Sequence, residues 1–204
     1  MHKEFDDNLR TKYGQLIIGC DEVGRGCWAS SIVAGAVCLP NDFILPGLTD
    51  SKLLKEKTRN EFAAIIKENA LAWAVAEITA KEIDERGITW ANIEVMKRAS
   101  LDVAKQLGSV DLYIFDQSPC TSLNPHIMLP KADSTSMTVA AASVLAKTHR
   151  DNMLIELGKI YLEYGFENHK GYINKKHIDA VNEYGILENI HRTSFKVKGY
   201  ICRN

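Results

Sequence analysis

A chain of 204 residues fits one domain and can bury a sizeable core. With 46% hydrophobic and 25% charged residues it reads as a soluble globular protein, and no apolar run reaches membrane-spanning length. Its net charge of −1 does not announce a nucleic-acid binder, which normally carries a basic footprint.

The first ten residues, MHKEFDDNLR, are polar and lack the apolar core of a secretory signal. Cysteines 20, 27, 38, 120 and 202 are scattered and never form a C-x-x-C pair. That pattern argues against a disulfide framework and a structural zinc site, and it predicts a cytoplasmic protein. Residues 15–20 and 32–39 are β-branched and apolar between glycine and polar clusters and predict strands, with Asp21 to Gly26 in the turn between them. Residues 54–69 alternate charge and apolarity at helical spacing, and 71–78 predict another strand. One or two helical turns follow at 82–86. Apolar residues at 93, 95, 96, 99, 103 and 107 predict an amphipathic helix over 90–107. A strand over 110–115 ends at Asp116, and 127–129 suit a short one. A long helix is predicted over 136–157, its small-residue run at 140–143 suited to close packing on a sheet.

The remainder predicts short helices and loops, with residues from about 160 to 204 as a C-terminal extension of a single domain. Strands and helices in this mixed order predict an α/β fold with a central sheet. From His169 onward seven Lys/Arg stand against three acids. That bias fits a solvated surface, and it equally suits a polyanion held on metal ions.

Acids mark the ends of these elements. The first strand runs into Asp21-Glu22, another ends at Asp116, and Asp133 precedes the long helix. Neighbouring strand ends can bring such side chains together, and several converging carboxylates cannot all stay ionised without cations. Hard oxygen ligands suit Mg²⁺ or Mn²⁺, and a pair of such ions about 4 Å apart can clamp a phosphoryl group. Taken singly, each acid also has a structural reading: exposed turn residues at 21–22, a turn at 116, a helix cap at 133. The Gly24-Arg25-Gly26 stretch reads as a plain β-turn, or as one whose glycines let backbone groups approach a sugar edge, where a 2′-hydroxyl distinguishes RNA from DNA. Arg25 adds a permanently charged fork for phosphate.

Other candidates carry less. No Ser/His/Asp arrangement suggests a serine nucleophile, and no histidine pairs with Cys27. His149, His169, His177 and His191 read as packing or hydrogen-bonding residues, and Trp73 and Trp90 as core.

At these residues the sequence resembles a known family. GCDEVGRG (19–26) resembles the N-terminal signature of type 2 ribonuclease H, the bacterial ribonuclease HII family. TDSKLL (49–54) resembles its D-S-K-x-L segment, and KADSTSMTVAAASVLAKTHRD (131–151) its long K-[GA]-D…A-A-A-S block. HKGY (169–172), His177, Tyr184-Gly185 and IHRTSF (190–195) are similar to its C-terminal region.

The resemblance implies a ribonuclease-H-like fold: a central mixed sheet flanked by helices, with a helical C-terminal extension. It implies an endoribonuclease that cuts RNA–DNA hybrids and incises 5′ to ribonucleotides embedded in duplex DNA, leaving 3′-hydroxyl and 5′-phosphate ends. It assigns Asp21, Glu22, Asp116 and Asp133 to two Mg²⁺ or Mn²⁺ ions, one for the attacking hydroxide and one for the leaving oxygen. Gly24, Arg25 and Gly26 fall at the scissile backbone, and Tyr172 at the sugar beside the RNA–DNA junction. Lys52, Lys147 and Arg150 fall where the family has basic residues near phosphates. A monomer is expected, with no clamp-binding tail at 199–204. Departures stand at Gln117, at Cys27-Trp28 and at Ile173-Asn174. Two other readings stay open: a recombinase or junction nuclease on the same fold, marked by cleavage of all-DNA substrates, and a non-catalytic hybrid binder, marked by binding without turnover.

Overall fold

The structure is a computed structural model that describes residues 2–117 and 122–201. Cys120, Cys202 and the last residues of the tail lie outside the described residues. In chain order the elements are α1 (His2–Tyr13), β1 (Ile17–Val23), β2 (Ile32–Cys38), α2 (Glu56–Asn69) and β3 (Ala72–Ile78). Then come α3 (Ala80–Arg86), α4 (Ile88–Leu107), β4 (Leu112–Asp116) and β5 (His126–Leu129). After a 3₁₀ turn at Ala132–Ser134, α5 (Met137–Ile160), α6 (Phe166–His169) and α7 (Lys175–Tyr184) complete the order.

The strands form a five-stranded mixed sheet in the order β3-β2-β1-β4-β5. The first three strands are antiparallel neighbours, whereas β4 and β5 run parallel to β1. The predicted strands and main helices are present, with shifted ends. One shift matters: β1 continues to Val23, so Asp21 and Glu22 lie in a strand rather than a turn. Their partners across β2 are Gly35 and Ala34. The helix α1 is an element the sequence reading missed. It is tied down by Asp6, which accepts from the Thr138 amide (2.9 Å) and hydroxyl (2.7 Å), and by Arg10, which donates to the Leu39 carbonyl.

Each face of the sheet is covered by a helix. On one face Ile18, Cys20, Ile32 and Ala34 pack with Val95, Met96, Ala99 and Val103 of α4. On the other, Val37 and Leu39 pack with Ala140–Ala142, Val144 and Leu145 of α5 and with Ala63 and Ile66 of α2. The small residues let α5 lie almost backbone to backbone on the sheet. A Cβ on Gly19 would sit 2.5 Å from the Thr138 carbonyl carbon and the Val139 nitrogen, and one on Gly35 would collide with the Ala142 carbonyl.

A third cluster, built around Trp28, Leu154, Tyr164 and Phe166, joins α5 to the segments that follow it. Among the described residues, no helix is long and apolar enough to cross a membrane.

Because the obstruction at Gly19 is main chain rather than a movable side chain, Gly19→Ala is expected to cost about 1–3 kcal/mol. Thermal denaturation should show a loss of about 2–4 °C per kcal/mol.

Candidate active site

The β1/β4 pairing ends with Cys20 beside Phe115, so the next residue of each strand, Asp21 and Asp116, stands just past that last pair at the same end of the two strands. Asp133 arrives there on the 3₁₀ turn that leads into α5. Its predicted alternative, the helix cap, is filled instead by Ser136, whose hydroxyl accepts from the Val139 amide. All four predicted acids, Asp21, Glu22, Asp116 and Asp133, line one cleft of about 510 Å³. Asp50, Lys52, Leu53, Gln117, Lys131 and Ser134 complete its wall. Asp50 and Lys131 were not singled out from the sequence. The D-S-K segment carried the signal for Asp50, the acid two residues before Lys52.

The acids are held at an electrostatic cost. Burial pushes the Asp21 carboxyl well above its usual range, and the charges of Glu22, Asp116 and Asp133 push further, against a hydrogen bond from Ser143. Glu22 is raised by burial and by Asp116, opposed by Arg25 and Lys52. Asp133 is raised by burial, Asp50 and Asp116. Lys52 loses some basicity to burial, but Asp50, Asp21 and Asp133 more than reverse the loss. Asp116 accepts from the Ala132 amide at 3.0 Å, which links its strand to the turn bearing Asp133.

Among the described residues, no three of these groups close into a ready-made cation cage. Five hard oxygen-donor side chains around one cleft, with buried carboxyls destabilised by their neighbours, fit a divalent cation. Asp21, Glu22, Asp116 and Asp133 are the residues that would hold it.

Beside the cleft, the Gly24-Arg25-Gly26 turn is fixed from behind. Gly24 has φ +94°, and a Cβ there would strike the Arg150 side chain. Gly26 is different: a Cβ would meet nothing within 4 Å, so the fold does not need glycine there. Arg25 is exposed. Cys27 bridges to Tyr172, and the Trp28 and Ala29 amides both donate to the Gly171 carbonyl. The turn and the Tyr172 loop are therefore one unit, and the Tyr172 ring is 40% exposed. Burial raises the Cys27 thiol pKa, which keeps it protonated.

Two of the basic residues assigned near phosphates, Arg150 and Lys147, lie behind the Tyr172 ring, each about 6 Å from its centre. Arg150 is fully buried, with its guanidinium donating to the carbonyls of Ser31 (3.2 Å), Ala29 (3.0 Å) and Lys170 (2.9 Å). It braces the segment after Gly26 and the Tyr172 loop from within. Lys147 is largely buried and pairs with Asp151 at 2.6 Å, and Asp151 also binds Arg59 at 2.7 Å. Lys52 is exposed on the cleft wall. Arg192 was missed: fully buried, it donates to the carbonyls of Ser30 and of Arg25 itself (3.1 Å).

Residues 18–198 match the family model described as Ribonuclease HII. The chain belongs to the ribonuclease HII family. It is 40% identical to the ribonuclease HII of Bacillus cytotoxicus over 199 residues, covering 97% of this chain and 75% of that one. It is 42% identical to the Bacillus mycoides protein over 193 residues, covering 94% and 73%. Family membership makes it a hydrolytic endoribonuclease acting on RNA–DNA hybrids.

The fold is that of the ribonuclease H2 from Pyrococcus horikoshii, with TM-score 0.72, 24% identity, and 88% of this chain and 93% of that one covered. Bst-RNase HIII, solved in complex with Mn²⁺, superposes with TM-score 0.71 at 19% identity over 91% of this chain and 68% of that one.

A neutral isostere tests the stored repulsion. A raised carboxyl pKa means that ionised Asp21 lowers native stability, and that the deficit disappears as pH falls through the folded pKa. Asp21→Asn is therefore expected to raise the thermal midpoint at neutral pH. Its advantage over wild type should shrink as the pH is lowered, which a pH series of melting curves reads directly.

Proposed function

We propose that this ribonuclease HII incises 5′ to ribonucleotides, including single ones embedded in duplex DNA, and leaves 3′-hydroxyl and 5′-phosphate ends. The observation that carries the reading is one cleft lined by Asp21, Glu22, Asp116 and Asp133 beside a joined Gly-Arg-Gly and Tyr172 unit. Two Mg²⁺ or Mn²⁺ ions at the four carboxylates would supply the positive charge that activates water and stabilises the leaving oxygen. The chain's own groups do the recognition. Open space at Gly26 lets the backbone reach a 2′-hydroxyl, Arg25 and Lys52 attract phosphates, and the exposed face of Tyr172 packs on the neighbouring sugar. Arg150 and Lys147 support that surface from behind rather than meeting phosphate. The segment from about residue 160 onward acts as a substrate-binding extension of the same domain, and the enzyme works as a monomer.

The test is cleavage of a DNA duplex containing one ribonucleotide, with Mg²⁺, Mn²⁺ or chelator. Metal-dependent incision 5′ to the ribonucleotide supports the reading. Equal cleavage of the all-DNA duplex would transfer it to the recombinase or junction-nuclease class, and binding without turnover to the non-catalytic class.

Two substitutions sharpen the assignment. Asp116→Asn keeps the side-chain shape while removing a charge from the ion site, so rates should fall at least ~100-fold with a thermal midpoint no lower than that of wild type. Near wild-type turnover in saturating Mg²⁺ would remove Asp116 from the set. Tyr172→Ala should lose about 1–3 kcal/mol of transition-state binding, by analogy with aromatic stacking on nucleotides, and should lose more on a single ribonucleotide than on a continuous hybrid. Equal losses on the two substrates would make Tyr172 a general binding residue.

A further inference from the structure

Behind the Tyr172 loop lie three buried histidines from different segments, His169 at the end of α6, His177 in α7 and His191. The His169 and His177 rings stack with centroids 4.2 Å apart, and His177 Nε2 stands 3.1 Å from His191 Nε2. Trp28, Tyr164 and Phe166 pack around them. The face-to-face stacking and the direct nitrogen–nitrogen contact do not converge on a point where an ion could sit.

Backbone groups assign every proton in this cluster. The Leu187 amide donates to His191 Nδ1 at 3.0 Å, so His191 carries its proton on Nε2. That proton is donated to His177 Nε2, which leaves the His177 proton on Nδ1, 3.0 Å from the Tyr172 carbonyl. The Gly171 amide donates to His169 Nδ1 at 3.2 Å, and His169 Nε2 donates to the Tyr164 carbonyl at 2.9 Å. The amide of Gly171 and the carbonyl of Tyr172 therefore both end on imidazoles.

We propose that His169, His177 and His191 form a neutral, tautomer-locked frame that positions the Tyr172 ring for substrate, with His177 as the positioning residue that acts on Tyr172 directly. The inference rests on the reading of Tyr172 given above. A proton added to either His177 or His191 would set two N–H groups against each other, so the frame works only when neutral. Burial maintains that state by holding His177 at about 4 and His191 at about 3, and it lowers His169 as well. Glu167 and Lys170 are the charged groups that bear on the cluster, both beside His169 and opposite in effect.

The geometry separates the two ends of His177. An Asn amide nitrogen can take the place of the imidazole Nδ1, keeping the bond to the Tyr172 carbonyl. A Gln side chain reaches instead to the Nε2 position and keeps only the His191 contact. On a duplex with one ribonucleotide, His177→Ala is expected to lose about tenfold in kcat/KM, the order for one hydrogen bond at a positioned group. His177→Asn should restore most of that loss, and His177→Gln should not.

Adding His177→Ala to Tyr172→Ala should cost nothing further, because the ring being positioned is gone. If Tyr172→Ala impairs incision and the two losses simply multiply, His177 does not act through Tyr172 and the frame is overturned while the Tyr172 reading stands. A Tyr172→Ala enzyme as active as wild type would overturn both. Imidazole ¹⁵N shifts of the wild-type protein supply a test that needs no variant. They should show neutral His177 with its proton on Nδ1 at pH 7, and a charged ring or an Nε2 proton contradicts the inference.

Discussion

The site depends on how closely α5 lies against β1 and β2. Glycines at 19 and 35 and small residues from Ala140 to Ser143 remove the side chains that would hold helix and sheet apart. The helix then serves both halves of the site. The turn before its first residue delivers Asp133, and Ser143 in its first half meets both Asp21 and Ser51. Further along, Arg150 reaches the carbonyls behind the Gly-Arg-Gly turn and the Tyr172 loop. Close packing fixes distances that electrostatics alone would not choose.

Two kinds of buried charge result, and they are treated differently. Arg150 and Arg192 are sealed in with no ion pair among the described residues, and backbone carbonyls accept from their guanidinium donors. A buried cation held by several such acceptors is tolerable and rigid. The carboxylates of the cleft lack an equivalent set of donors, and Lys52 and Arg25 offset only part of their charge. One set of charges fixes the loops around the Gly-Arg-Gly turn and Tyr172, while the other leaves an unmet demand for positive charge beside them.

Much of this was legible in the sequence. Runs of β-branched and apolar residues marked the strands, the run at 140–143 marked the close-packed helix, and acids near element ends marked the candidate site. Local pattern was a poor guide where distant residues decide. Asp21 and Glu22 look like turn residues, yet pairing with β2 carries the strand through them. The polar α1 has little apolar periodicity and is held by Asp6 and Arg10 through contacts far along the chain. The burial of Arg150 and Lys147 was not legible from their charge, because it depends on carbonyls and an aspartate brought to them by tertiary packing. The histidines were read as hydrogen-bonding residues, but which nitrogen holds each proton is visible only from the amides and carbonyls around them.

The central claim is that this fold concentrates carboxylates that a divalent cation relieves. The most direct measurement is the thermal midpoint of the wild-type protein, titrated with Mg²⁺ or Mn²⁺ against monovalent salt at matched ionic strength. A ligand that binds only the native site stabilises it in proportion to the logarithm of its concentration once the site is saturated. The account predicts a midpoint that climbs steadily through the millimolar range of either divalent ion and stays above the monovalent control. Identical midpoints in divalent and monovalent salt would contradict it.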